Sequence, residues 1–277
     1  MRALFLIPGE GSRQLQAFAA VAAVADQLAA RVQVVCPPAA VPLWALHPRV
    51  ERTIPFPFTN ATLADWANLL GSVREPDFQL CINRARGRQV DLMLSMSHIA
   101  TRVAEAGFSA TATVTEPADL WGAQAWQAFL RPIGVDLDAA GFRLALPRTE
   151  LEAAAAELPA GDGPLLLLAP EGGTGDWPAQ RWQELPERIR GRLPNLRTAS
   201  GDAGSIRRLA ARIASVDVAL ASDPVCIELA LLLGIPLVAL GRGPRDLPAR
   251  EGVRGIGTPG ALEQLDPAVV LEALGLG

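Results

Sequence analysis

Residues 165–182 read LLLLAPEGGTGDWPAQRW, and their order carries the fold. Five apolar residues, Leu165 to Ala169, suit a buried strand; a proline and three closely spaced glycines break it, and helical spacing runs from Pro178 to Arg190. The unit is strand, glycine loop, helix. The start of the chain repeats it as ALFLIPGEGSR (residues 3–13), an apolar run to Ile7 closed by Pro8 and Gly9. Behind it Ser12 is placed to cap an Ala-rich helical stretch that reaches Arg31.

Outward from these two anchors the alternation continues. The first half predicts strands at Val32–Cys36, Val50–Ile54, Asp77–Ile82 and Ala110–Thr115, with helices at Leu63–Val73 and Gln89–Ser97. The second half predicts strands at Asn195–Ser200, Val216–Ala221 and Pro236–Leu240, with helices at Ser205–Ala214 and Val225–Gly234. Strands separated by helices of this kind form parallel sheets from βαβ units. A chain of 277 residues fits two domains of about 150 residues each. We set them at 1–145 and 146–277, joined within the tryptophan-containing, helix-forming stretch Pro117–Pro159 and followed by the turn cluster PAGDG at 159–163. The expected class is α/β, with two Rossmann-like domains.

Composition then limits the chemistry. Half the residues are hydrophobic, 19% are charged, and no apolar run approaches the ~18 residues of a bilayer span. The N-terminal apolar run is too short for a signal-peptide core, so the expected compartment is the cytoplasm, with room for peripheral contact with a membrane surface. All 25 basic residues are arginines, which excludes Schiff-base lysines and a P-loop phosphate contact. Tyrosine is absent, and the two histidines, His47 and His98, read as satisfied or partly buried rather than as bases. Cys36, Cys81 and Cys226 are odd in number, far apart and without CxxC spacing, so they read as reduced core thiols and not as a disulfide framework or zinc site. A net charge of −4 without a basic block gives nucleic acid no footprint. No metal and no cofactor is expected; catalysis must rest on carboxylates, arginines, hydroxyls and backbone amides.

Parallel sheets bind ligands beyond the C-terminal ends of their strands. Four loops occupy such positions. Gly9–Arg13 offers Glu10 as an acid and Ser12 beside it, a pattern that equally suits a tight turn before a capped helix. Glu171–Asp176 offers Gly172, Gly173, Thr174 and Asp176 ahead of a helix N-terminus, suited to cradling a diphosphate or to forming a flexible turn. It has neither GxGxxG spacing nor a Walker lysine. Ala221–Leu229 places Asp223 as an N-cap with Glu228 five residues on; amides at that helix end would bind a diphosphate while the two acids hold hydroxyls or orient a leaving group. Gly241–Asp246 offers Arg242 and Arg245, either able to offset negative charge or simply to face solvent.

LHPRVERTIPFPF (46–58), WPAQRWQEL (177–185) and SIRRLAARIASVDVALASDPVCIELALLLGIPLVAL (205–240) together resemble glycosyltransferase family 9, the ADP-heptose:lipopolysaccharide heptosyltransferases. The resemblance covers most of the chain and is most specific in the second half. It implies a GT-B fold, two Rossmann-like domains facing across a cleft, with the acceptor on the N-terminal domain and the nucleotide-sugar donor on the C-terminal one. It further implies metal-independent, inverting sugar transfer to a glycan or lipid-linked, lipopolysaccharide-type acceptor.

Several positions depart from the family pattern. Where the family reads Ile-Gly-Asp, its aspartate being the proposed base, this chain has Gly11-Ser12, and the nearest acid is Glu10. The family's lysine two residues before the Trp-Pro pair is Gly175 here. The family's Asp-(Ser/Thr)-Gly-x-x-His-Leu becomes Asp223-Pro224-Val225-Cys226-Ile227-Glu228-Leu229, keeping the aspartate but replacing the glycine and histidine. The segment between Asn195 and Ser205 is also shorter than the family's. Two readings follow: a transferase using Glu10 and Ser12 as catalytic residues and Gly172, Gly173, Thr174, Asp176, Asp223, Glu228 and Arg242 for the donor, or a catalytically degenerate GT-B protein that binds a nucleotide, glycan or protein partner without turnover.

Overall fold

The apolar runs become the central strands of two parallel sheets in the computed structural model, which describes residues 1–74 and 77–276. The chain forms two units, Met1–Ala139 and Ala140–Gly277. In the first, β1 (Arg2–Leu6), β2 (Arg31–Cys36), β3 (Val50–Pro55), β4 (Leu80–Asn83), β5 (Thr101–Ala104) and β6 (Ala112–Thr113) lie in the order β3-β2-β1-β4-β5-β6. Every pairing is parallel. Ala3 to Leu6 of β1 and Val34 to Cys36 of β2 are fully buried, as strands covered by helices on both faces must be, which is why they read as unbroken apolar runs.

The second unit holds β7 (Leu165–Ala169), β8 (Arg197–Ser200), β9 (Val218–Ala221), β10 (Leu237–Leu240) and β11 (Val253–Ile256), parallel throughout and ordered β11-β10-β9-β7-β8. Leu144 N–H donates to Leu232 O, tying the segment after Ala139 to this unit. Each sheet is doubly wound and reverses its strand order once, between β1 and β4 in the first and between β7 and β9 in the second. At such a reversal the two following loops diverge and leave a crevice at the strands' C-terminal ends.

Local structure corrects the sequence reading in several places. β5, β11 and the helix Pro267–Ala273 were not anticipated, and the strand expected over Ala110–Thr115 forms only at Ala112–Thr113. β5 and β11 are short and incompletely buried, so they carry no apolar run. The helix expected from Ser12 to Arg31 is two pieces, Ser12–Leu15 and Phe18–Gln27. Ser12 does not cap: Gly11, at φ 49°, is the capping residue and no side chain bonds the helix end. His98 is exposed, in the left-handed region at φ 63° just beyond the helix Arg88–Met96, where chain reversal rather than core packing sets its place.

Other expectations hold. All three cysteines are buried and free. Burial pushes the Cys36 thiol up to about 12, so it stays a neutral apolar filler. His47 is buried, its Nε2 3.0 Å from Phe18 O and its Nδ1 accepting from Arg49 N–H. Desolvation lowers its pKa to about 4, against opposing help from the Phe18 carbonyl.

Candidate active site

In the first unit the loop after β1 is shaped by a residue that the sequence reading passed over. Gln14 is fully buried; its amide nitrogen donates to Ile7 O (2.9 Å) and Gly9 O (2.7 Å), and its oxygen accepts from Trp44 Nε1 (2.7 Å). This staple holds Gly9 at φ 91° and Gly11 at φ 49°, conformations that favour glycine. Glu10 stands exposed at the tip of the loop, and Ser12 is half-buried behind it.

Across the strand reversal, Asn83 folds the loop after β4 by bonding both the N–H (2.9 Å) and the carbonyl (3.0 Å) of Ala85. Arg84 and Arg86 project from that loop. Arg84 lies over the rings of Trp126 (4.9 Å) and Phe129 (5.1 Å) and pairs with Glu116, while Arg86 pairs with Glu105, its Nε donating at 3.0 Å. Burial pushes the Glu105 carboxyl up, but hydrogen bonds from Arg86 and with Glu116 outweigh it, and the group is held below the usual carboxylate range. These four side chains, with Arg13 and Gln16, line a cavity of about 610 Å³. All the charged members follow C-terminal strand ends, so the positional rule that singled out the glycine loops also applied to the NRAR segment at 83–86.

The second unit brings the other expected residues to its own strand reversal. Glu171 N–H donates to Ser222 Oγ (2.8 Å) and Asp223 N–H to Ala169 O (3.2 Å), which joins the loops after β7 and β9. Asp176 is a loop former: its carboxylate accepts from Gly172 N–H (2.8 Å) and from Trp177 N–H (2.7 Å). Trp177 pins the far end of the loop, buried with its Nε1 donating to Leu265 O (2.9 Å) and its ring edge-on to Trp182 at 5.3 Å. Gly172 (φ 78°) and Gly173 (φ 89°) have open space where a Cβ would stand, and Thr174 beside them is exposed.

Asp223 caps the helix Pro224–Leu233, accepting from Cys226 N–H at 2.7 Å. Pro224 has no N–H and Ile227 N–H is taken by Asp223 O, so Val225 is the first-turn amide left among the described residues. Glu228 is 3% exposed within the helix body. Arg242 is half-buried on the loop after β10 and forms no ion pair with the described residues. Among the described residues no group of three or more His, Cys, Asp or Glu side chains is arranged to hold a metal ion, and no helix is long and apolar enough to cross a membrane.

Neither a family model nor a curated protein sequence matches the chain. Solved structures do. E. coli ADP-heptose lipopolysaccharide heptosyltransferase II aligns over 99% of this chain and 98% of its own at 17% identity, with a TM-score of 0.74. A glycosyl transferase of family 9 from Veillonella parvula aligns over 99% and 96% at 12% identity, with a TM-score of 0.80. E. coli heptosyltransferase WaaC with ADP-2-deoxy-2-fluoro heptose aligns over 99% of both chains at 14% identity, with a TM-score of 0.72. These are proteins of the kind that the sequence motifs resemble. The chain has their fold: GT-B, with two Rossmann-like α/β domains.

Proposed function

We propose that this protein is a glycosyltransferase that moves a sugar from a nucleotide-sugar, held by residues 146–277, to a glycan or lipid-linked acceptor held by residues 1–145. The observation that carries the reading is the loop Gly172–Thr174, a backbone surface open to solvent on the rigid mount of Asp176 and Trp177, at the strand reversal where doubly wound sheets bind ligands. Gly173 and Thr174 supply amides and a hydroxyl for a diphosphate, Val225 N–H adds one more, and Arg242 offsets charge. Asp176 and Asp223 act by shaping the loops that present these donors.

Transfer with inversion requires the acceptor oxygen to attack the anomeric carbon as its bond to the diphosphate breaks. The acceptor's proton goes to a carboxylate, and the electron pair leaves on the nucleoside diphosphate, whose charge the amides and Arg242 stabilise. Glu10 takes the proton in this scheme. Glu105 and Glu116 are unsuited to it because Arg86 and Arg84 already engage their carboxylates. Glu10→Gln tests the assignment: nucleoside diphosphate release from a cognate donor and acceptor should fall about 10²-fold or more while donor binding persists. Unchanged turnover would remove Glu10 from the mechanism.

A protein that binds donor or glycan without turnover is the second reading. It is favoured by Glu10 itself, whose exposed carboxylate has no hydrogen bond from the described residues to aim it.

A further inference from the structure

Beside the charged cavity of the first unit runs a groove of about 530 Å³, lined by Phe58, Asn60 and Trp66 together with Pro8, Glu10 and Arg86. Pro8 and Arg86 also line the cavity, so the two spaces adjoin. The groove is built rigidly. Phe56 is buried, edge-on to Phe58 (5.0 Å) and tilted against Trp66 (4.5 Å), and those two rings are partly exposed. Thr62 and Asp65 close a reciprocal capping box: Asp65 Oδ2 accepts from Thr62 N–H (2.8 Å) and Oγ1 (2.6 Å), and Thr62 Oγ1 accepts from Asp65 N–H (3.2 Å). The box opens the helix Leu63–Arg74, which carries Trp66.

The charge inventory matters as much as the rings. Across cavity and groove the ionisable lining is Arg13, Arg84 and Arg86 against Glu10, Glu105 and Glu116, a formal sum of zero. Two of the three arginines are already paired, and one of them is pinned on two rings. A site for a phosphorylated or carboxylated sugar needs surplus, accessible positive charge, which this lining lacks. Aromatic faces beside a few hydroxyl-binding groups suit a ligand with one apolar face and a polar rim.

We propose that the Phe58–Trp66 groove is a subsite for a neutral sugar ring of the acceptor, stacked on the aromatic faces with its hydroxyls at Asn60 and Glu10. The proposal deepens the transferase reading and rests on it for the word acceptor. The test is saturation-transfer NMR on the full chain with methyl glycosides of glucose, galactose and mannose at millimolar concentration, against glucose 6-phosphate and galacturonate. At least one neutral glycoside should bind, with affinity independent of salt, and Trp66→Leu or Phe58→Leu should weaken it about tenfold. Asn60→Ala, an exposed change that leaves the aromatic cluster intact, serves if either of those variants melts early. Preferential, salt-sensitive binding of the charged sugars would overturn the proposal, and so would no binding of any sugar. Nucleotide-induced melting shifts, measured in parallel, separate the two claims: a shift without sugar binding defeats the groove alone, and sugar binding without a shift defeats the transferase reading alone.

Discussion

At the strand reversal of the first unit the polar atoms belong to side chains, whereas at that of the second they belong mostly to the backbone. Arg84, Arg86, Glu105 and Glu116 neutralise one another around a cavity, and aromatic rings hold one arginine in place. In the second unit Asp176 and Asp223 are occupied by loop and helix amides, and Gly172–Thr174 present main chain to solvent. The same topology thus presents two kinds of surface at its strand reversals. A side-chain site can be tuned by single substitutions and by pH; a backbone site depends on φ angles that only glycine adopts readily.

The largest expected difference is in acid. Both histidines lie in the first unit, and His47 is buried with a pKa lowered by desolvation from 6.5 to about 4. The stability gained from keeping it neutral is complete above pH 6.5 and is lost as pH falls towards 4, when the unfolded chain binds a proton that the folded one refuses. That amounts to about 2 kcal/mol by pH 5 and about 3 kcal/mol below pH 4. Hydrogen exchange at pH 7 and pH 5 should show protection falling in residues 1–139 and holding in the second unit; an equal fall in both would break the contrast.

Next comes Arg84→Ala, which removes the arginine paired with Glu116 and uncovers Trp126 and Phe129. Arg84 keeps 24% of its side-chain exposure, so the loss should be about 2 kcal/mol, below that for a fully buried pair, read from denaturant midpoints. Gly173→Ala should cost about 1–2 kcal/mol through its φ of 89° alone, since nothing crowds the new Cβ, and should weaken nucleotide binding about tenfold. Asp223→Ala should have the smallest effect, about 1 kcal/mol for one lost cap, detected as a lower melting temperature. A loss there as large as that from Arg84→Ala would mean that Asp223 does more than cap.

Much of this architecture was legible in the chain. LLLLA and ALFLI are apolar without interruption because central parallel strands are covered on both faces, and the glycines behind them announce the loops. Edge and outer strands gave weaker signals: TRVA and VRGI are half-exposed and contain arginine, so nothing in them alternates or clusters. Asp266 before Pro267 did announce the last helix, with a cap and a proline at its first position, but no strong apolar period followed. The four loops chosen from the sequence do follow C-terminal strand ends. The part that could not be read was pairing: Asp176 looks like a ligand acid in sequence, and only the fold turns it back onto Gly172 and Trp177, whereas the capping role of Asp223 was legible from its place ahead of a helix. Arg84 and Arg86 carried no signal of their own for the converse reason, because Glu105 and Glu116 reach them from loops after strands that pair only in three dimensions.

Whether the second unit holds a nucleotide on the Gly172–Thr174 backbone is decided by a thermal titration. The protein and its Gly173→Ala variant are melted with ADP, UDP, GDP, CMP and their sugar conjugates, since a ligand that binds only the folded state must raise the melting temperature. One nucleotide and its sugar conjugate should stabilise the protein, and the variant should lose most of that shift. No shift with any of them at millimolar concentration, or an equal shift in the variant, would contradict it.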